Sequence, residues 1–512
     1  MAALTACGGG GSSGGSPAPS RTPDDNTDVV WQQGVFLPAE TFANRCESPR
    51  SGIDSSGNPF PDVKGSTLDE NNWLRSWSND LYLWYDEIVD QNPEGYATDD
   101  YFETLVTTAS TVSGTPKDQF HFLVPTDEWI AQSQSGISVG YGLQWALLSA
   151  TPPREAVVAY TEKENDPGLP PRGARILSID GYSIDVNTQA GIDALNAGLF
   201  PSAKGESHHF VMRYLDGSEH AMTLTAGEVV SDPVQNVNVV DGSMGRRVGY
   251  MLFNDHIATA ETGLVEAVNY LKDQRIDDLV LDLRYNGGGY LALASELSYM
   301  IAGEAATAGR IFETLTFNDK HPETNPVTGE PLVGTPFINE TTGYFSLAAG
   351  IPLPTLDLSR VFVLTGPNTC SASESIINGL RGVDIEVVQI GDTTCGKPYG
   401  FYPTDNCGTT YFTIQFQGNN DKGFGDYADG FTPEHSGDAG VEIAGCPVAD
   451  DWNHALGDIN EARFATALTY INSGSCYSYG VMSARAEPRA GSPSKDVRLT
   501  KPVWRENRIY VR

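Results

Sequence analysis

No run of about 18 consecutive apolar residues occurs in the 512 residues, so the chain as given has no helix able to span a bilayer. Positive charge is scarce. Against 66 Asp and Glu stand 32 Lys and Arg, and the net charge of −34 argues against nucleic acid or an anionic membrane as a partner. Only ten of those basic residues are lysines, so a lysine inside a chemical motif is less readily there by chance. None of the seven cysteines lies in a CxxC pair, which counts against a structural zinc site or a thioredoxin-type centre. What is present suffices for cores: 40% apolar and 10% aromatic residues exclude a wholly disordered chain. At about 100–200 residues per domain, the length implies about two to four domains.

Leu4-Thr5-Ala6-Cys7-Gly8, followed by a Gly/Ser/Pro run to Asn26, looks like a bacterial lipobox and a flexible tether. Only six residues precede Cys7, with neither a charged nor an apolar leader region, and the bland alternative is an ordinary cysteine beside a linker. The expectation is an exported protein of the bacterial cell envelope, facing the periplasm as an outer-membrane lipoprotein, whose membrane contact is a lipid anchor at Cys7. In that oxidising setting the other six cysteines can form up to three disulfides.

Composition and periodicity divide the chain into five stretches. Residues 1–30 hold the lipobox-like start and tether. Residues 31–133 hold an N-terminal segment and a small helical domain, in which Trp73, Leu74, Trp77, Leu81, Leu83 and Trp84 recur at three- and four-residue spacings and Tyr101, Phe102 and Leu105 begin a second amphipathic stretch. Residues 134–230 read as short strands with one helix, Gln189–Leu199. Residues 231–477 alternate strand and helix, an α/β core. Its strands fit Gly249–Phe253, Leu279–Leu283, Val361–Thr365, Ile385–Ile390 and Tyr411–Gln417. Its helices fit Ala260–Lys272, Tyr290–Ala302, Ala372–Leu380 and Glu461–Ile471. Residues 478–512 form a basic tail containing Pro and Arg, with eight basic against three acidic residues from Ser478.

Chemistry concentrates in the core. Strand Val361–Thr365 runs through Gly366-Pro367-Asn368-Thr369-Cys370 into Ser371 and a helix. A serine there sits where orphan backbone N–H groups and the positive helix end converge, and the N–H of Ala372 can hold a developing oxyanion. Ser371-x-x-Glu374 equally spells a helix-capping box. Lys397 follows 26 residues later, after the next strand, in a loop that returns beside Ser371. Burial can make a lysine amine available as a base for serine. Arg284-Tyr285-Asn286-Gly287-Gly288-Gly289 follows another strand. It lacks the Gly-Lys-Ser/Thr of a phosphate loop, and its glycines suit a second oxyanion donor.

The motifs D-L-R-Y-N-G-G-G, T-C-S-A-S-E and T-T-C-G-K-P, in this order and spacing over roughly residues 68–476, resemble the C-terminal processing peptidases, or tail-specific proteases. The resemblance implies a multidomain α/β chain: a crotonase-like peptidase core, a small N-terminal helical domain and an inserted PDZ-like β-rich domain. It implies a serine endopeptidase with a Ser-Lys dyad, no metal and no cofactor, acting on polypeptide C-terminal segments. Ser371 would be the nucleophile, Lys397 the general base, and Gly288 and Ala372 the oxyanion donors. Gly140-Tyr141-Gly142-Leu143 would present backbone N–H groups to a peptide carboxylate. The chain departs from the family where an Asp or Gln often orients the base: those positions are Gly382 and Phe401. Asp384, Glu374 and Asp405 remain candidates. A disulfide between Cys370 and Cys395 would clamp the dyad, with Cys395–Cys407 as the competing pair.

Four other readings stand beside this one. An inactive relative would capture peptides without cutting them. A crotonase-type acyl-thioester enzyme would leave Ser371 and Lys397 unexplained. A histidine base is represented by His256, which follows a core strand. A cysteine nucleophile would need a partner base and a depressed pKa.

Overall fold

The computed structural model describes residues 30–54, 57–163, 166–435 and 440–476. Cys7, the tether and the basic tail lie outside the described residues. Helix α1 (Thr67–Leu81) begins at Ser66, whose side chain accepts the Asp69 N–H, and carries Asp69 and Glu70 against the positive helix end. Its Trp73 and Trp77 stack at 5.2 Å and pack on Tyr411 of the core. The strand Phe122–Pro125 pairs antiparallel with Thr409–Phe412, and Cys46 is bonded to Cys407, so the helical segment is stitched to the core at two further points. The second amphipathic stretch is shorter than expected, a five-residue helix over Thr98–Phe102. Thr104, Thr107, Thr108, Ser110, Thr111 and Val112 follow, residues that lose side-chain freedom in a helix or compete with its backbone.

The β-rich segment forms strands β1 (Leu143–Ser149), β2 (Glu155–Thr161), β3 (Arg175–Ile179), β4 (Ser207–Arg213) and β5 (Glu219–Thr225), antiparallel in the order β5-β4-β3-β2-β1. Helix α2 (Gln189–Leu199) packs on this sheet through Leu195 and Leu199, which join Ile176, Ile179 and Phe210 in one core. A separate pair, Ile137–Gly140 with Gly227–Val230, holds the entry and exit of the segment side by side.

The core is a seven-stranded sheet of β6 (Val234–Asp241), β7 (Arg247–Phe253), β8 (Asp278–Asp282), β9 (Arg360–Thr365), β10 (Glu386–Gly391), β11 (Thr432–Glu434) and β12 (Glu442–Pro447), in the order β6-β7-β8-β9-β10-β12-β11. Only β6 runs antiparallel to its neighbour. Helices α3 (Ala260–Asp273), α4 (Leu291–Ala302) and α5 (Ala372–Gly382) cover one face, where Leu264, Leu297 and Ile376 meet Leu279, Leu281, Val361 and Val363. Helix α6 (Ala462–Ser473) covers the other, where Phe464 and Ala467 meet Val280, Phe362 and Leu364. Burial on both faces explains why β8 and β9 read as unbroken apolar runs. One expected strand differs: Tyr411–Gln417 divides into Thr409–Phe412 and Phe416–Asn419, which join different sheets.

Candidate active site

Three neighbouring parallel strands, β8, β9 and β10, release their loops at one end of the sheet, as residues 283–290, 366–371 and 392–398. Ser371, Lys397, Gly288 and Ala372 all lie on these loops or at the helix start that follows. Ser371 is the N-cap of α5, with φ 54° and ψ −119°. A side-chain-bearing residue rarely adopts that backbone, at a cost of about 1–3 kcal/mol that the surroundings must impose. They do so twice. Cys370, one residue earlier, is disulfide-bonded to Cys395, two residues before Lys397. Glu374, fully buried, receives on one carboxylate oxygen both the Ser371 N–H at 3.0 Å and the Lys397 N–H at 2.8 Å. Its other oxygen accepts from Thr394 Oγ1 at 2.6 Å and the Gly396 N–H at 2.9 Å. Burial pushes this carboxyl up and the four donors pull it down, with a net rise.

Lys397 is 1% exposed. Its Nζ lies 3.9 Å from the centre of the Phe401 ring and 4.8 Å from that of Phe120. Phe401 occupies the position where a Gln was the alternative, so an aromatic face stands where a polar orienter would be. Of the other candidate orienters, Glu374 engages the backbone of Lys397. Asp384 is exposed and pairs with Lys422. Asp405 pairs with Arg50.

Beside Ser371, Gly288 has no room for a side chain. A Cβ at Gly288 would stand 2.7 Å from Ser371 Cβ, 2.8 Å from Cys370 O and 2.9 Å from Ala372 N, and its φ is +98°. Its N–H, however, donates to Asn286 Oδ1 at 2.9 Å, a contact the sequence did not disclose. Ala372 opens α5, where backbone N–H groups have no intrahelical acceptor. Asn286 also holds His256 Nδ1 at 2.9 Å and donates to Phe253 O at 2.9 Å. Burial pushes His256 down to about 3, so its ring is neutral and braces the glycine loop from below.

Gly140, Tyr141, Gly142 and Leu143 line one groove together with Tyr160, Glu162, Leu199 and Val229, and with Asp255 and Ile257 from the core. Tyr141 Oη donates to Gly198 O at 2.8 Å and Trp145 Nε1 to Leu199 O at 3.1 Å, fixing the loop against the end of α2. Glu162, which sequence reasoning missed, accepts from Gln144 Nε2 at 2.9 Å and the Asp232 N–H at 3.2 Å, and burial pushes its carboxyl up. Behind the groove Tyr160 stacks on Tyr285 at 5.7 Å.

Residues 247–401 match the model of peptidase family S41. A carboxyl-terminal-processing protease of Picosynechococcus sp. is 29% identical over 279 residues, which span 52% of this chain and 56% of that protein. Among solved structures, a proposed S41 protease of Bacteroides fragilis aligns at a TM-score of 0.55 and 21% identity, over 81% of this chain and 98% of its own. That likeness speaks to the fold. The photosystem II D1 C-terminal processing protease aligns at a TM-score of 0.42 and 15% identity, over 73% and 93% of the two chains.

Proposed function

We infer the function from one premise, that the chain carries a peptidase family S41 core over residues 247–401, and propose a serine endopeptidase that cuts polypeptides near their C-termini. Ser371 Oγ attacks the scissile carbonyl carbon and its proton passes to Lys397 Nζ. The tetrahedral oxyanion takes the N–H groups of Ala372 and Gly288, the latter exchanging Asn286 Oδ1 for the oxyanion. Lys397 then returns the proton to the leaving amine, and water hydrolyses the acyl-enzyme by the same route. Burial strips Lys397 of the water that would stabilise an ammonium, which favours the neutral amine the reaction needs, while the faces of Phe120 and Phe401 return part of that stabilisation. The groove at Gly140–Leu143 is the PDZ-like site that takes the substrate's chain end. Three disulfides fit the oxidising bacterial envelope, reached by export and held there through Cys7.

The single observation that carries this reading is the strained Ser371, fastened to the Lys397 loop by both a disulfide and a shared carboxylate oxygen. The test is turnover of an unfolded polypeptide by Ser371→Ala and Lys397→Ala. Each is expected to lose about a thousandfold or more in kcat with the fold intact. Either variant retaining full activity rejects the dyad.

A further inference from the structure

Three disulfides occur among the described residues, and they do different work. Cys46–Cys407 ties the N-terminal segment to the core across 361 residues. Cys446–Cys476 ties β12 to the chain just past α6. Of the three, only Cys370–Cys395 joins the loops that carry Ser371 and Lys397, one residue before the first and two before the second. Both of its residues are buried. The Cys370 N–H donates to Asn286 O at 3.1 Å and the Cys395 N–H to Thr369 O at 3.0 Å, so the bond lies where all three loops at this end of the sheet meet.

Cys395 Sγ also lies 3.3 Å from Glu374 Oε2, the oxygen that takes the N–H groups of Ser371 and Lys397. As half of a disulfide, that sulfur has no proton to offer. Reduction changes two things at this point. The freed sulfurs must separate to non-bonded contact, and a close-packed interior takes them only if a loop shifts. Cys395 also gains an S–H, a donor aimed at Glu374 Oε2 that competes with Ser371 and Lys397 for it. Ser371, at φ 54°, then has fewer restraints, and a residue in a sparsely populated backbone conformation relaxes once its surroundings no longer over-determine it. We propose that the Cys370–Cys395 bond is an activation latch: the dithiol chain is folded but latent, and oxidation to the disulfide completes the site.

The latch rests on the peptidase reading of Ser371 and Lys397 and adds a regulation to it. Closing takes two thiol–disulfide exchanges. The thiolate of one cysteine attacks a sulfur of a disulfide-bearing oxidant, which forms a mixed disulfide and releases one oxidant thiolate. The thiolate of the other cysteine attacks the cysteine sulfur of that mixed disulfide, which forms Cys370–Cys395 and releases the second. Two electrons pass to the oxidant, and it leaves as two thiols carrying the protons the cysteines gave up. Once closed, the buried sulfurs are out of reach of an attacking thiolate unless the loops open. The latch is therefore set during folding in an oxidising compartment and stays set, and a chain in a reducing compartment stays latent.

The test compares two paired variants of the full chain, Cys370→Ser with Cys395→Ser, and Cys46→Ser with Cys407→Ser. The first pair is expected to lower kcat on an unfolded polypeptide by about 10–100-fold with KM nearly unchanged, and to slow phosphonate labelling of Ser371 by a similar factor. The second pair is expected to lower the unfolding temperature and to keep kcat within about twofold of wild type. Should the first pair fold poorly, graded reduction of the wild type with dithiothreitol gives the same readout. Alkylation and mass spectrometry then count each disulfide, and kcat should follow the Cys370–Cys395 fraction and return on reoxidation with oxidised glutathione. Wild-type kcat in the first pair, equal losses of kcat in the two pairs, or activity that outlasts the Cys370–Cys395 bond overturns the latch, while labelling of the oxidised wild type at Ser371 leaves the peptidase reading standing. Oxidised wild type that neither cleaves nor labels overturns that reading, and the latch with it.

Discussion

Glu374→Gln is the most informative single change, because it alters one atom at the point where both reactive loops converge. The amide can keep only one carboxylate oxygen. Placed where it meets Ser371 and Lys397, that oxygen preserves both of their N–H bonds, at 3.0 and 2.8 Å. The new NH2 then faces Thr394 Oγ1, which already accepts the Phe431 N–H at 2.7 Å and can accept again, and the Gly396 N–H, which cannot. The reverse orientation would orphan both Ser371 and Lys397, so the first prevails. One buried donor left unmet costs about 1–3 kcal/mol, and the remaining bonds lose the charge that made them strong. The expected destabilisation is therefore about 3 kcal/mol, a large share of the stability of a typical domain. Glu374→Ala orphans four donors and would cost about twice as much, which confuses lost folding with lost function. The assay pairs urea unfolding with steady-state hydrolysis of an unfolded polypeptide. The unfolding midpoint should fall at constant m-value, and kcat should drop by about 10–100-fold, as misplacement of a reacting group by less than about 1 Å demands, with KM nearly unchanged. Wild-type midpoint and kcat together would refute the claim that this carboxylate positions the two loops. A rise in KM alone would place its action on substrate binding instead.

Two further substitutions probe the same frame. Gly288→Ala puts a methyl 2.7 Å from Ser371 Cβ at a φ of +98°, so labelling of Ser371 by a serine-reactive phosphonate should fall at least about tenfold, and undiminished labelling would show that the two loops are not in the register described. Arg172→Met removes the guanidinium that ties the β-rich segment to Tyr285 Oη at 2.6 Å and Asp450 at 2.8 Å, and should cost about 3–5 kcal/mol in thermal unfolding at neutral pH. Burial alone would raise Asp450, yet Arg284, Arg463 and Arg172 hold it well below the usual carboxylate range. A depressed carboxyl stabilises above its unfolded pKa and loses that contribution as pH falls, so the gap between wild type and Arg172→Met should narrow below about pH 4; a gap that widens in acid would contradict the network.

Features local in sequence were the legible ones. Buried parallel strands announce themselves as apolar runs, and α2, expected over Gln189–Leu199, matches the structure at both ends. Ser371, Lys397 and the glycines were readable because each sits in a loop following a strand of one parallel sheet, and such loops share an edge. What escaped were partnerships between side chains far apart in the chain. Arg172, in a loop of the β-rich segment, pairs with Asp450, in a loop of the core 278 residues away. Cys407 lay within reach of Cys395 by sequence, but pairs with Cys46 across 361 residues. Nor could spacing show that the Gly288 N–H is occupied, since that depends on the rotamer of Asn286.

The capping-box spelling at Ser371 posed two readings, a helix cap and the proposed nucleophile, and the backbone at Ser371 bears on both. In an ordinary capping box the glutamate satisfies the N-cap N–H, and the N-cap residue keeps an extended backbone. Glu374 performs the first task, but Ser371 has φ 54°, and the same glutamate also gathers three donors from the Lys397 loop. A cap evolved only to start a helix needs neither the strained serine nor the second loop. Strain of about 1–3 kcal/mol at one residue persists only where neighbours over-determine it, and here a disulfide and a buried carboxylate act on the same backbone, beside a glycine with no room for a side chain. Stability alone would relax that serine. That strain is the physical support for the proposed role of Ser371 as nucleophile.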